Sequence, residues 1–329
     1  MWPRPGLAAA LGLAVVAAGG CGSSPEQFPP VAEPARAPAL TERPAGRVVD
    51  LPGMPEGLVA DPLTGLVAVG LRNPDRLGIL DGASGRLVRE VPIPESPRHL
   101  QLVEPGGPVL VASERADRLA IVPLRGGEPE VIEVGKYPHD AAASGERIFV
   151  GNELGDTVSV IENGREIRRL DAPLQPGGVA ASRGFVAAVG VKEREIEVYD
   201  ARTLRSLGRT GAGVGPTHVV SDGTGRFFIV DTQGNSVLVV RLKPKVQVVR
   251  RIAMPGAPYG VAADRPKRRF WVTLTAENKL VELTDRRKLR EFPTIRQPNT
   301  VAVDSRRGRV FVVSPKTNQL QLLSPDGGE

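Results

Sequence analysis

From residue 47 onward the chain repeats one short unit seven times, and few architectures accept such a pattern. Each unit opens on a proline turn, at Pro55, Pro97, Pro138, Pro176, Pro216, Pro258 and Pro298, with spacings of 42, 41, 38, 40, 42 and 40 residues. A short segment follows, as in Gly57–Asp61, His218–Asp222, Gly260–Asp264 and Thr300–Asp304. Next come a Gly or basic turn and an apolar run, for example 147–150, 226–230, 269–272 and 309–313. A third run opens on Asp75, Asp117, Asp156, Arg194, Asn235, Asn278 or Asn318, always 18 to 20 residues past the proline. Asp and Asn suit a turn that launches a strand, because their side chains cap local backbone groups and tolerate left-handed φ. The alternation of β-branched and polar residues after them is that of half-buried strands.

A fourth, more variable strand ends each unit, as at 87–93, 131–135, 166–170 and 246–252. The seventh unit stops at Leu323 without one, whereas Arg47-Val48-Val49-Asp50-Leu51 stands before the first proline as an orphan strand. Pairing the two ends closes a ring and leaves no open sheet edge. The period is that of propeller blades. The expected fold is therefore all-β: a seven-bladed β-propeller over 47–329, its last blade completed by the N-terminal strand. A ring also explains how 329 residues, more than one ordinary core takes, form one domain with 4% aromatic residues. Flat sheets packed face to face need Val, Ile, Leu and Ala rather than large rings.

The N-terminus reads as an address. One arginine, Arg4, precedes an apolar run of about 13 residues, too short to span a bilayer. Ala18-Gly19-Gly20-Cys21 then resembles the lipobox of a bacterial lipoprotein, with Ala18 where leucine is usual. The resemblance implies removal of 1–20 and lipidation of Cys21, the only cysteine of the chain. Residues 21–46, rich in Pro, Ala, Ser and charge, bury too little to order themselves and are expected to be a flexible tether. The expected location is extracytoplasmic, anchored to the membrane through Cys21.

The repeats resemble the YVTN/YncE family of seven-bladed propellers, through Pro258-Tyr-Gly-Val-Ala-Ala-Asp264 and the Arg309-Val-Phe-Val-Val313 type of second strand. The resemblance covers 47–323. It implies that first strands line the channel and that the proline turns sit at one mouth. The residue two past each proline then samples one ring: Gly57, His99, Asp140, Gly178, His218, Gly260 and Thr300. All three histidines, including His139, fall within two residues of such a proline. The ends of second strands add Arg72, Glu114, Asn152, Asp231 and Lys192. Histidines and carboxylates converging on a channel suit ligand binding, a divalent metal, or fastening of blades to one another. Likeness to metal-dependent propeller lyases implies His99, His139 and His218 as ligands, with Asp140 orienting a ring or binding water.

Two functions follow. The first is a non-enzymatic, surface-anchored module binding an envelope protein, a wall polymer or a small ligand at the mouth. The alternative is a metal-dependent enzyme of lyase or lactonase type. A divalent metal is the one cofactor either would take, and a monomer is expected. One cysteine excludes cysteine-based zinc clusters and haem attachment motifs. No Gly-x-Ser-x-Gly elbow occurs, and Gly211–Gly215 lacks the Lys-Ser/Thr and helix of a phosphate loop. The net charge of +6 is spread out, but Arg265–Arg269 and Asp285–Arg290 form basic turns, read as solvated loops that could touch anionic surfaces. Nucleic acid is not expected as a partner, because the chain carries an export signal and few aromatic platforms.

Overall fold

Short turns leave each strand of a unit little choice but to pair with its chain neighbour. The computed structural model describes residues 1–2 and 29–327, and 47–323 form a ring of seven four-stranded antiparallel sheets. Cys21 and the signal segment lie outside the described residues. Six blades are contiguous, spanning 54–92, 97–133, 138–171, 176–211, 216–253 and 258–293. The seventh joins Thr300–Asp304, Arg309–Ser314 and Gln319–Leu323 to Arg47–Asp50, in antiparallel register from Arg47 opposite Leu322 to Asp50 opposite Gln319. Among the described residues the only helical turn is Glu114–Ala116.

No blade shields its own faces. Seven apolar clusters fill the clefts between neighbours, as where Phe228, Val239 and Met254 of blade 5 meet Phe270, Val272 and Leu283 of blade 6. The closing cleft holds Leu51, Val69 and Leu80 against Phe311, Val313 and Leu322.

In five blades the repeated Asp or Asn fastens the blade to the next. Asp117, Asp156, Asn235, Asn278 and Asn318 adopt left-handed φ of 47° to 54°. The side chains of Asp75, Asp117, Asp156, Asn235 and Asn278 accept hydrogen bonds of 2.7–3.1 Å from the N–H groups of Ser96, Tyr137, Gln175, Ala257 and Gln297. Those five residues immediately precede the next blade's proline. Arg194 has no acceptor to offer. The entry to blade 5 is held instead by Asp231, whose Oδ1 accepts from the N–H groups of Val214 and Gly215 at 2.9 and 2.8 Å.

Inner strands approach closely where their side chains vanish. A Cβ on Gly260 would overlap the carbonyl oxygen of Asn299 in the next blade. Gly260→Ala is expected to cost about 2 kcal/mol and lower the melting temperature by about 4–8 °C. An unchanged melting temperature would mean that the inner strands sit farther apart.

The stretch expected to be a flexible tether is not free over its described part. Residues 31–33 reach the channel mouth and 35–45 lie along blades 6 and 7, with Ala32 and Ala37 buried. The N–H of Ala35 donates to Thr275 Oγ1 (3.1 Å), Asn278 Nδ2 to the carbonyl of Pro38 (3.2 Å) and Arg296 Nη2 to that of Ala37 (3.2 Å). Gln321, fully buried, donates from Nε2 to the carbonyl of Ala45 (2.7 Å). A segment unable to order itself is ordered by polar groups the ring presents.

A candidate ligand site at the channel mouth

One extra residue lies on the first strand just past the proline in six blades, and it re-aims the side chain there. The register slips between Pro55 and Leu58, Pro97 and Leu100, Pro138 and Asp140, Pro176 and Gly178, Pro216 and Val219, and Pro258 and Val261. Such bulges turn side chains out of the ladder. The residue one past the proline therefore reaches the mouth. Arg98, His139, Thr217 and Tyr259 line a cavity of about 310 Å³ with Arg72, Glu114, Tyr137, Glu153 and His218. Val31, Ala32 and Glu33 of the N-terminal segment, with Gly177 and Val191, complete its wall.

Four of the charges close on themselves. Arg72 Nη2 lies 2.9 Å from Glu114 Oε2 and its Nη1 3.6 Å from Glu56 Oε1. Arg98 Nη1 lies 3.2 Å from Glu56 Oε2 and its Nε 3.3 Å from Glu114 Oε1. Burial opposes the charge on Arg98, yet Glu56, Glu114 and Glu153 hold its pKa above the ordinary value. Burial pushes Glu114 upward, partly offset by Arg98 and Arg72.

Glu153 stands outside this neutral ring of two guanidinium groups and two carboxylates. Its Oε2 lies 2.7 Å from His139 Nδ1. Arg98 Nε donates to His139 Nε2 at 3.2 Å, which fixes the imidazole proton on Nδ1, facing Glu153. Burial, reinforced by Arg98 and His99, holds His139 well below its ordinary pKa, so it is neutral. Glu153 is itself raised by burial, partly offset by Arg98. The result is a partly desolvated carboxylate bonded to a neutral partner.

His99 and His218 sit together at the next level. Their Nε2 atoms are 3.1 Å apart and the rings are nearly parallel, at 9°. His218 packs edge-on against Tyr259, and burial with the nearby His99 pushes it well below its ordinary pKa. His99 also meets His139 edge-on, with ring centroids 4.7 Å apart. The three histidines thus converge as expected, but their nitrogens do not share a coordination point, because Arg98 occupies Nε2 of His139. Among the described residues the set of ligand atoms that does suit a cation comes from Glu114, His139 and Glu153, within 4.8 Å of one another.

The other expected site residues divide cleanly. Arg72 and Glu114 are at the mouth. Asp140 is a fastener: its Oδ1 accepts from Gln101 Nε2 (3.0 Å), its Oδ2 from the Val179 N–H (3.0 Å), and His99 Nδ1 is 3.8 Å away. Asn152 is fully buried and donates to Thr157 and Ser159, so Glu153, one residue on, takes the place given to it. Asp231 is buried under Gly213 and Gly234 and holds the blade 5 entry. Gly57, Gly178, Gly260 and Thr300 serve close strand approach, Thr300 donating to the Glu56 carbonyl at 2.7 Å. Lys192 is exposed beside the mouth residue Val191.

Folding suppresses proton uptake by His139 and His218, whose unfolded value is 6.5. Their contribution to stability is complete above that value and is lost as pH falls below it, by up to about 1.4 kcal/mol per pH unit for each. Glu114 and Glu153, raised in the fold, act in the opposite sense at lower pH. The melting temperature is expected to drop between about pH 7 and pH 6, and less steeply in a His139→Gln/His218→Gln double variant. Equal slopes for both proteins would mean that these histidines titrate freely in the folded state.

No family model matches the chain, and no curated protein matches it in sequence. Solved structures do. A streptogramin B lyase aligns at 15% identity and TM-score 0.72, covering 84% of this chain and 96% of that one. The Kuenenia stuttgartiensis hydrazine synthase aligns at 15% and 0.71 with the same coverage. A chain of the mitotic checkpoint complex aligns at 13% and 0.73, covering 92% and 98%. The likeness is one of fold, shared by enzymes and by components of protein assemblies.

Proposed function

We propose that the protein is a binding module of the cell envelope whose channel mouth takes a small ligand through a positively charged ammonium group. The observation that carries this reading is Glu153, a carboxylate in a walled cavity whose only hydrogen-bond partner among the described residues is a neutral histidine. Glu33 adds a second acid to the cavity wall, and the Tyr137 and Tyr259 rings, a residue type that suits a cation, line the same cavity. Export and anchoring at Cys21 rest on the apolar leader and the lone cysteine. Nine residues lie between Cys21 and Val31, so the mouth would lie within about 35 Å of the anchor.

Titration calorimetry of the intact protein with putrescine and with benzylamine tests the reading. Saturable binding is expected, weakened about tenfold or more by Glu153→Gln, as for loss of a charge-assisted contact. Absence of binding, or equal binding by the variant, contradicts it.

A second reading, a divalent metal supporting lyase or lactonase chemistry, is favoured by the closeness of Glu114, His139 and Glu153. A metal there would be held by the two carboxylates and His139 Nδ1, and would supply Lewis-acid polarisation of a carbonyl. Such ligation moves the His139 proton to Nε2, where the Arg98 N–H already points. Arg98 must therefore swing away, which disfavours the metal relative to an ammonium group. Calorimetry with Mn²⁺ or Zn²⁺ alone decides: tight metal binding that excludes the amines selects the second reading.

A further inference from the structure

The two basic turns noted in the sequence meet on the face opposite the mouth. Residues 222–225 follow the far end of Pro216–Ser221, and 265–268 follow the far end of Pro258–Asp264. With the 284–287 turn of blade 6 they enclose a cavity of about 440 Å³, lined by Asp222, Thr224, Arg226, Arg265, Arg268, Phe270, Asp285 and Arg286.

Its charges do not balance. Arg226 consumes both acids, with Nε 2.7 Å from Asp222 Oδ2 and Nη1 2.6 Å from Asp285 Oδ2. Asp222 also accepts from the Thr224 N–H and hydroxyl, at 2.7 and 2.6 Å. Arg265 is pinned to Ser221, donating from Nε to its carbonyl (3.2 Å) and from Nη2 to its hydroxyl (3.0 Å). Among the described residues no carboxylate pairs with Arg265, Arg268 or Arg286. Arg268 is set in the left-handed region, φ 53°, by a turn whose N–H returns to the Arg265 carbonyl. Four guanidinium groups against two carboxylates leave a surplus of two positive charges around one concavity, and Phe270, tilted 30° against Phe228, is its aromatic lining residue.

We propose that this cavity is a second binding site, for a phosphate monoester group carried on an apolar body. Guanidinium forks match phosphate oxygens bidentately, and two surplus charges equal those of a phosphate dianion. The Phe270 ring in the lining suits the attached apolar part. The phosphate could belong to a soluble metabolite or to a phospholipid headgroup, and the test separates the two.

The intact protein is titrated by calorimetry with phenyl phosphate, with inorganic phosphate, and with benzyl alcohol as the uncharged control. A parallel arm measures co-sedimentation with phosphatidylcholine vesicles with and without phosphatidic acid. Binding of phenyl phosphate, stronger than of inorganic phosphate and weakened about tenfold or more in an Arg268→Ala/Arg286→Ala variant, supports a soluble ligand. Vesicle binding that needs phosphatidic acid and is lost in the same variant, without uptake of free phenyl phosphate, supports the headgroup. Both arginines are exposed on turns, so the variant is expected to keep the wild-type melting temperature. Glu153→Gln is expected to leave this binding unchanged, which separates it from the mouth. Failure of both arms, or binding that the double variant retains, overturns the proposal.

Discussion

Removing residues 1–51 is expected to cost the protein most of its stability, whereas removing only 1–43 is not. The longer deletion strips the outer strand from blade 7, with its four ladder positions opposite Gln319–Leu322. It also withdraws Val49 and Leu51 from the cleft shared with blade 1. One buried and one half-buried aliphatic side chain, worth about 1.5–3 kcal/mol when fully buried, plus ladder hydrogen bonds at about 1 kcal/mol each, give on the order of 5–8 kcal/mol. Folded domains hold about 5–15 kcal/mol in total. The exposed edge of Gln319–Leu323 would also invite pairing between molecules. Thermal unfolding and light scattering should find the 52–329 protein aggregated or melting at least about 15 °C lower. The 44–329 protein should stay within a few degrees of the full chain. Similar melting of the two truncated proteins would show that the ring does not depend on its closing strand.

Arg98→Met carries the second large expectation. Arg98 bridges Glu56 and Glu114 and donates to His139, so its loss leaves carboxylates desolvated without their counter-charge. Breaking a buried pair from one side costs about 3–5 kcal/mol. Because Glu114 is already raised by burial, it will rise further once Arg98 is gone. A folded pKa above the unfolded value of 4.5 means that protonation favours the folded state. The deficit should be complete at about pH 8 and shrink toward about pH 5, and a Glu114→Gln second change should recover part of it. A pH-independent loss would mean that packing, rather than charge, explains the effect.

The ring was legible because its causes are periodic. Proline turns, Asp or Asn strand openers and the orphan strand at 47–51 recur in register, and the structure places each as expected. The openers even explain themselves: a side chain able to accept a hydrogen bond at Asp117 or Asn278 is what ties one blade to the next. The mouth was legible only in part. Counting two residues past each proline finds His99 and His218, but the bulge brings forward the residue one past it, which adds Arg98 and Tyr259 to His139. The charged or aromatic character of that position in blades 1, 2, 3 and 6 was the available signal. Choosing Asn152 over Glu153 was the same one-residue slip at the end of a second strand, where side-chain direction alternates. The docking of residues 31–45 had no periodic signal, since it depends on single groups such as Thr275, Asn278 and Gln321.

The arrangement at the mouth is tested most directly by imidazole ¹⁵N resonances of the intact protein, followed with pH and with added benzylamine. His139 is expected to stay neutral, with its proton on Nδ1, down to below about pH 6, and to shift when the amine engages Glu153. A His139 that titrates at or above its ordinary value of 6.5, carries its proton on Nε2, and ignores the amine would contradict the account.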